Sequence, residues 1–305
     1  MFREEELSIL VVGSVAIDSV KTPFGKREAS LGGSATYFSI AASFFNKVNM
    51  IAVVGDDFPK RYIDLFRKRS IGIEGLRVAS GKTFRWKGVY DYDLNTAHTI
   101  YTHLNVFKDF KPAVQPGLRR SKFLFLANID PDLQYSVLKQ MERPKLVACD
   151  SMNYWIENKR RQFEKILKRL DILLLNDAEA RQLTGESSLM RAAKEIVARG
   201  PKAVVIKKGE HGVIFFSKRS HFIAPAYLLE DVYDPTGAGD TFAGGLIGYL
   251  SRARRINDSS IKKGIVYGSI LASFAVEDFS VNRLSEISLA DIMDRYRHFG
   301  KITKF

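Results

Sequence analysis

The chain has very little of the residue types that build disulfide frameworks and transition-metal centres. Its 305 residues include one cysteine, Cys149, which excludes internal disulfide bonds and a thiolate metal cluster and is typical of a reducing cytoplasm. The five histidines share no ligand-like or triad-like spacing, so they indicate neither a metal centre nor a catalytic triad. Any chemistry has to come from other residues.

Long apolar runs are also missing. No stretch reaches the roughly 18 apolar residues that span a bilayer, and residues 1–6 are charged and acidic, unlike a signal peptide. We therefore expect a cytoplasmic protein with no membrane partner. The formal net charge is +13, but basic residues alternate with acidic ones and accompany no known nucleic-acid-binding pattern. They do not favour a nucleic-acid partner, and attraction of anionic nucleotide substrates explains them better.

Short apolar runs alternate with helical patterns along most of the chain. This alternation predicts an α/β fold with a mainly parallel sheet covered by helices on both faces. No repeat or linker interrupts it, so we expect a single domain over residues 1–305. The predicted strands are 8–12, 50–54, 123–127, 146–149, 172–175, 203–206 and 213–216. The predicted helices are 35–45, 59–69, 132–141, 155–169, 178–183, 189–198 and a region around 267–276.

Two segments, 19–31 and 82–106, depart from this alternation because they are extended and amphipathic. Period-two spacing in the second segment puts four aromatic residues on one face and charged residues on the other. The aromatic residues are Phe84, Trp86, Tyr90 and Tyr92. Such a strand indicates a cover over an apolar ligand or surface, although an ordinary packed strand is the alternative.

The most informative stretch is Asp-Pro-Thr-Gly-Ala-Gly-Asp, residues 234–240. A helical pattern follows it, and the first turn of a helix carries unpaired N–H groups that attract anions. Gly237, Ala238 and Gly239 allow a phosphate to approach the backbone. Asp240 is placed to take a proton from an attacking hydroxyl. A loop-to-helix transition that Asp240 merely caps is the alternative.

This stretch resembles the C-terminal signature of the ribokinase, or PfkB, family of carbohydrate and nucleoside kinases. Other family elements follow in the same order and rough spacing: Gly13-Ser14 with Asp18, then Gly32-Gly33, then Asn176-Asp177-Ala178-Glu179. The resemblance runs from end to end. It implies a ribokinase-like fold with a small β-sheet lid, formed here by 19–31 and 82–106, and a phosphotransferase that uses ATP and Mg²⁺.

The resemblance also implies an acceptor site near the first motifs. Asp18 would bind acceptor hydroxyls, because a carboxylate accepts several hydrogen bonds, and Gly32 and Gly33 would bring backbone close to the acceptor. Relatives generally place an asparagine where this chain has Tyr37, which speaks against free ribose. The other predicted acceptor-site residues are Ser34, Phe84, Trp86 and Asn128.

On the nucleotide side, the resemblance implies contacts from the turn after the strand 203–206 and from residues nearby. The predicted ATP-binding residues are Lys207, Lys208, Gly209, Gly212, Thr236, Ser269 and Ala272. Asn176 and Glu179 would hold Mg²⁺ largely through water, although a helix N-cap with a first-turn glutamate is the alternative. Many relatives also use K⁺, and Asp234 with the carbonyls of 276–279 is the candidate site.

The sequence thus predicts an ATP-dependent kinase of a primary hydroxyl, with Asp240 as base and residues 237–239 as anion hole. We favour a nucleoside acceptor, of the adenosine type, because the aromatic lid face is larger than a small sugar needs. A free sugar remains the alternative acceptor. Alternatives of another class are a non-catalytic nucleotide-binding protein and a basic nucleic-acid-binding protein. Exposed lid strands are compatible with a homodimer.

Overall fold

The computed structural model describes residues 8–304, so the acidic segment 1–6 lies outside the described residues. Its centre is a nine-stranded sheet in the order β13-β12-β11-β10-β9-β8-β1-β4-β5. All neighbours from β11 to β5 are parallel, whereas β12 and β13 are antiparallel additions at one edge. The strands are β1 Ile9–Val12, β4 Val48–Gly55, β5 Ile71–Ala79, β8 Phe123–Leu126, β9 Leu146–Asp150, β10 Ile172–Asn176, β11 Ala203–Lys207, β12 Val213–Ser217 and β13 His221–Ala224.

Helices cover both faces of this sheet, as the sequence predicts. The helices are α1 Ser34–Ser43, α2 Lys60–Lys68, α3 Pro131–Gln140, α4 Asn153–Asn158, α5 Arg160–Leu167, α6 Asp177–Thr184, α7 Leu189–Ala198, α8 Ala238–Arg252, α9 Asp258–Ala275, α10 Asn282–Glu286 and α11 Leu289–Ile302. The predicted helix 155–169 is wrong in one respect. It is two helices, because the chain leaves the helical region at Lys159, where φ is −129° and ψ is 29°.

Alternation along the central strands builds a core on each face. In β1, Ile9 and Val11 pack in the layer of α1, α8 and α9, whereas Leu10 and Val12 pack in the layer of α3, α5 and α7. All four side chains are fully buried. A strand with both faces buried reads as a continuous apolar run, which is why the central strands were predictable.

A second, four-stranded sheet lies in the order β3-β2-β6-β7, formed by β2 Ala16–Thr22, β3 Gly25–Gly32, β6 Phe84–Tyr90 and β7 Ala97–His103. It is mixed, because β2 and β6 pair in parallel while the outer pairs are antiparallel. It contains most of both segments that the sequence sets apart as extended. The expected small accessory sheet is therefore present.

Parallel strands bring the residues that follow them to one edge of the large sheet. Ser14 and Asn128 come just after β1 and β8, while Asp150, Asn176 and Lys207 are the last residues of β9, β10 and β11. This edge is where open α/β sheets bind their ligands. Within residues 8–304, no helix is long and apolar enough to cross a bilayer.

Candidate active site

The Gly-rich turn opens directly into helix α8. Gly237 is the residue before the helix and has φ of 77°, in the left-handed region that glycine adopts readily, and no side chain caps this helix end. The amide of Ala238 donates to the carbonyl of Pro235 at 3.1 Å. Within residues 8–304 no protein group accepts from the amides of Gly237, Gly239 and Asp240. These three N–H groups, and not that of Ala238, are therefore available to an anion.

Asp240 lies in the first turn of α8, directly after the Gly-rich turn. The pKa of its carboxyl is raised to about 7, mainly by burial and then by the negative charge of Asp150, with the ammonium of Lys207 acting in the opposite direction. A carboxyl that titrates near neutral pH is suited to general base catalysis. The alternative in which Asp240 only caps the helix is not what this geometry favours.

Lys207 and Asp150 form the closest charged pair at the site. The Lys207 Nζ atom lies 2.6 Å from Asp150 Oδ2, and the Asp150 side chain is 5% exposed. A Cβ atom at Gly239 would lie 3.0 Å from the same Nζ. Although burial lowers the pKa of Lys207, Asp150 and Glu179 raise it above its usual value, so the ammonium stays charged beside the anion site.

Sequence reasoning found Lys207 but missed Asp150. The two residues are 57 positions apart, and a single aspartate at the end of an apolar run does not differ from a turn former. The only usable signal was its place directly after the predicted strand 146–149, whose neighbour in the sheet ends in Asn176.

Asn176 and Glu179 make a reciprocal capping box at the start of α6. The backbone amide of Asn176 donates to Glu179 Oε2 at 2.7 Å, and the amide of Glu179 donates to Asn176 Oδ1 at 2.7 Å. The pKa of Glu179 is raised to about 7, mainly by burial and then by the charge of Asp150, while Lys207 acts in the opposite direction. The structure therefore contains the helix cap that the sequence offered as the alternative. The same carboxyl of Glu179 is buried and interacts with the charges of Asp150 and Lys207.

The charges of the residues around Lys207 suit a divalent cation. Asp150, Glu179 and Asp240 interact electrostatically around the single ammonium of Lys207, so the site has an excess of carboxylates. No group of three or more His, Cys, Asp or Glu in the described part of the chain forms a metal cage. This donor set suits Mg²⁺, which keeps several waters and is held by few carboxylates together with substrate phosphates.

On the acceptor side, Asp18 is held tightly by the two glycines predicted beside it. A Cβ atom at Gly32 would lie 1.8 Å from Asp18 Oδ2, so only glycine leaves room for the carboxylate. The pKa of Asp18 is raised to about 7, mainly by burial and further by the charges of Asp234 and Asp240, while the hydrogen bond from the Gly33 backbone amide lowers it. Asp18 is 6% exposed, and its carboxyl is near enough to Asp240 for the two charges to interact.

The lid sheet presents an aromatic surface to this carboxylate. Asp18 in β2 is the register partner of Trp86 in β6, so the two side chains lie on the same face of the sheet. The six-membered ring of Trp86 lies over Gly88, where an added Cβ would be 2.3 Å from two ring carbons. Its Nε1 donates to Thr99 Oγ1 at 3.1 Å. Glycine at position 88 thus lets the ring lie flat along the sheet, on the face that it shares with Asp18.

Two further contacts tie the lid sheet to the phosphate side. Thr236 Oγ1 donates to the hydroxyl of Tyr90 at 3.1 Å, and a Cβ at Gly209 would lie 3.3 Å from Asn95 Oδ1. The end of β6 therefore contacts the Gly-rich stretch, and the loop after it approaches the turn that follows β11. In this arrangement the sheet covers the edge where the predicted acceptor and nucleotide residues meet.

Phe84 and Tyr92, the other two aromatic residues predicted on this face of the lid, do not lie with Trp86 and Tyr90. Phe84 is on β6 but packs on Phe107, with ring centroids 5.5 Å apart, so its ring belongs to a local aromatic cluster. Tyr92 lies beyond the end of β6 and is 82% exposed, because the chain turns after Tyr90. The expectation that period-two spacing extends to Tyr92 is wrong.

Three predicted acceptor residues are positioned by the loop–helix junction around α1 and by β8. The hydroxyls of Ser34 and Ser14 lie 3.2 Å apart, and Ser34 N donates to Ser14 Oγ at 3.0 Å. Tyr37 is 2% exposed. The Oδ1 atom of Asn128 is buried without a hydrogen-bond partner among the described residues, as expected for a group that a ligand satisfies.

The turn after β11 is closed by backbone contacts. Lys208 N donates to the Gly212 carbonyl at 2.8 Å, and a Cβ at Gly212, where φ is 82°, would lie 2.1 Å from the Ala224 carbonyl. Ser269 and Ala272 lie on α9. Their predicted contact with adenine stays a prediction.

Asp234 lies against the turn that follows α9. Its carboxylate accepts from Thr236 N at 2.9 Å and from Ser280 N at 3.3 Å, and the Val276 carbonyl accepts from Tyr233 N at 2.8 Å. The structure thus brings together the carboxylate and the backbone segment of the predicted K⁺ site. Occupation of that site by a cation stays a prediction.

Several known proteins are similar to this chain in sequence or in fold. A family model described as pfkB family carbohydrate kinase matches residues 7–287. A cytidine kinase of Thermococcus kodakarensis is 28% identical over 256 residues, which are 83% of this chain and 91% of the relative. An inositol 3-kinase of Arabidopsis thaliana is 32% identical over 96% of this chain and 80% of its own length. The solved structure of Burkholderia thailandensis nucleoside kinase in complex with inosine superposes with a TM-score of 0.78 at 19% identity, covering 95% of this chain and 97% of that one.

Proposed function

This chain belongs to the pfkB family of carbohydrate kinases, and we propose that it transfers the γ-phosphoryl group of ATP to the primary hydroxyl of a nucleoside. The observation that carries the proposal is that Asp18 and Trp86 are register partners on one face of the lid. A carboxylate that accepts from ribose hydroxyls then shares a face with an aromatic ring on which a base stacks, and such stacking contributes about 1–3 kcal/mol.

The proposed reaction depends on three groups around the transferring phosphoryl. Asp240 accepts the proton of the attacking hydroxyl, so that the oxygen becomes a better nucleophile as the bond to phosphorus forms. The free amides of Gly237 and Gly239 donate to the phosphoryl oxygens, and the Lys207 ammonium compensates their charge. Asp150 keeps that ammonium beside Gly239 before ATP binds.

Asn176 and Glu179 would hold Mg²⁺ through water, near Asp150. When bound, the ion supplies neutralisation of phosphate charge. Glu179 keeps its capping hydrogen bond through Oε2, which leaves Oε1 to orient a metal-bound water. Asp234 and the carbonyls of 276–279 are the proposed site of a K⁺ ion.

The lid contributes to the proposed reaction by excluding water. Its contacts to Thr236 and to the Gly209 turn enclose the space between the two substrates, which limits ATP hydrolysis. A cytoplasmic location and a homodimer through the lid are further parts of the proposal. The exposed edge strand β7, with Ile100 60% exposed, supports the dimer.

A polyol acceptor without a base is the second candidate. The 32% identity to an inositol 3-kinase over most of the chain favours it. In that case Asp18 and Asn128 would bind ring hydroxyls, and Trp86 would stack on the ring carbons. Asp18 and Asn128 can bind hydroxyls of either acceptor. A nucleoside and a polyol are therefore distinguished by what binds to the face of Trp86.

The test is to identify the phosphorylated product. Wild-type enzyme is incubated with ATP, Mg²⁺ and cytidine, adenosine or inosine, and the product is examined by ³¹P NMR and mass spectrometry. We expect a nucleoside 5′-monophosphate and one ADP per product. ADP release with no phosphorylated nucleoside, or product formed only from myo-inositol, would exclude the proposed function. The Asp240→Asn variant is the control for contaminating kinases.

A further inference from the structure

Tyr37 contacts the anion site directly, although it belongs to the acceptor-side helix. A Cβ atom placed at Gly237 would lie 2.4 Å from both Cδ2 and Cε2 of the Tyr37 ring. The ring thus occupies the space beside Gly237, whose left-handed conformation begins the phosphate-binding turn. A shorter side chain such as asparagine would not fill the same space.

The start of helix α1, which includes Tyr37, is hydrogen-bonded to Ser14 and Gly33, and we call the segments around these two residues the acceptor loop. The amide of Tyr37 donates to the carbonyl of Gly33 at 3.3 Å, and the amide of Ala35 donates to the carbonyl of Ser14 at 2.9 Å. Gly33 itself has φ of 95°, and a Cβ there would lie 2.5 Å from the Ser14 carbonyl oxygen. A shift of the acceptor loop would therefore move the ring against Gly237.

Helix α1, which carries Tyr37, and helix α8, which follows Gly237, pack with their backbones in close contact. A Cβ at Gly244 of α8 would lie 2.4 Å from the Phe38 carbonyl oxygen of α1, and one at Gly248 would lie 3.1 Å from Ala42 Cα. Backbones this close cannot slide independently. Helices α1 and α8 are therefore held together, and the Tyr37 ring fills the space beside the turn that precedes α8.

The hydroxyl of Tyr37 lies among the charged groups of the site. The Tyr37 side chain is 2% exposed, and its pKa is raised well above its usual value by burial and then by the charges of Asp234, Asp18 and Asp240. The hydroxyl therefore stays protonated within reach of the charges of these carboxylates, and it can donate to an oxygen of a bound acceptor.

We propose that Tyr37 is a positioning residue that couples the acceptor pocket to the anion site, because its ring supports Gly237 while its hydroxyl faces the acceptor. This inference rests on the proposed phosphoryl transfer at the Gly-rich turn, but not on the identity of the acceptor. It predicts that the ring and the hydroxyl affect different kinetic constants. Loss of the ring misplaces the phosphoryl-binding amides, whereas loss of the hydroxyl weakens only acceptor binding.

The test compares Tyr37→Phe, Tyr37→Asn and Tyr37→Leu with whichever acceptor the wild-type enzyme phosphorylates best. Tyr37→Asn should lower kcat by about 10–100-fold, because a displacement near 1 Å at a reacting centre costs about that much, while the KM for ATP changes by less than about threefold. Tyr37→Leu should lower kcat as well, since it fills volume without a flat ring. Tyr37→Phe should recover kcat and raise the acceptor KM by about tenfold, as expected for one lost hydrogen bond.

Tyr135→Asn on α3 is the matched control, because its half-buried ring contacts Lys139 and lies on the opposite face of the sheet. Its kcat should equal that of the wild type. The inference is overturned if folded Tyr37→Asn or Tyr37→Leu enzyme retains wild-type kcat, or if Tyr37→Phe loses as much kcat as Tyr37→Asn. A wild-type enzyme that accepts a sugar or cyclitol would refute the nucleoside assignment, yet the same comparison would still decide the role of Tyr37.

Discussion

Replacing Asp18 by asparagine should stabilise the ligand-free protein at alkaline pH, although it damages the site. The carboxyl has a pKa of about 7 instead of 3.8 because it is buried near Asp234 and Asp240. A group whose pKa is raised on folding stabilises the protein below pH 4, and this contribution is lost as pH rises through 7. At 1.36 kcal/mol for each pKa unit, holding the charge costs up to about 4 kcal/mol at pH 8.

Asp57→Asn is the matched control with the opposite sign. Although burial raises the pKa of Asp57, hydrogen bonds from Thr83 and Arg85 lower it below 3.8 overall, and Arg85 Nη2 lies 2.7 Å from Asp57 Oδ2. A group whose pKa falls on folding contributes stability above its unfolded pKa. Asp57→Asn should therefore lower the stability at pH 8, where Asp18→Asn raises it.

The assay is thermal denaturation of the wild type and both variants between pH 5 and pH 8.5, without substrates. For a chain of this size about 1 kcal/mol corresponds to roughly 2 °C, so Asp18→Asn should gain several degrees at pH 8 and progressively less as pH falls toward 5. Its KM for the acceptor should rise, because an amide is a poorer partner for hydroxyls than a carboxylate. A lower Tm for Asp18→Asn at pH 8, or a gain that does not change with pH, would refute the electrostatic reasoning.

Three further predictions concern the chemistry. Asp240→Asn should lower kcat by about 10²–10⁴-fold with nearly unchanged ATP affinity, as measured by coupled ADP release and ATP titration; a variant that keeps most of its kcat would remove Asp240 from the role of base. Glu179→Gln should raise the Mg²⁺ concentration for half-maximal rate, and an unchanged Mg²⁺ titration would reduce the Asn176–Glu179 pair to a helix cap. Activity should be higher in K⁺ than in tetramethylammonium at matched ionic strength if Asp234 and the carbonyls of 276–279 hold a cation, and equal rates would reject that site.

The parts of the fold that the sequence predicts are those with strong local patterns. Each buried central strand was found because both of its faces are apolar. Strand β5 was missed because it is an edge strand whose side chains alternate between half-buried and exposed, with Val78 63% exposed. The short, exposed strand β13 lacks a pattern for the same reason.

The parts of the site that escaped prediction are long-range pairings. Asp150 meets Lys207, and Tyr90 meets Thr236, across 57 and 146 positions of the chain, and no local periodicity encodes such a contact. The contact between Tyr37 and Gly237 is of the same kind. Motif order identified which turns carry chemistry, but the pairs that set the charge and shape of the site depend on how α1, α8 and the lid pack.

The central claim is that the site between Asp18 and Asp240 accepts a nucleoside. It is tested most directly by kcat/KM for adenosine, guanosine, inosine and cytidine beside ribose, fructose, 2-keto-3-deoxygluconate and myo-inositol, all with ATP and Mg²⁺. We predict that at least one nucleoside exceeds every other acceptor, and that Trp86→Ala reduces this preference through loss of base stacking. A free sugar or cyclitol that exceeds every nucleoside by tenfold or more would contradict the account and assign the Trp86 face to another role.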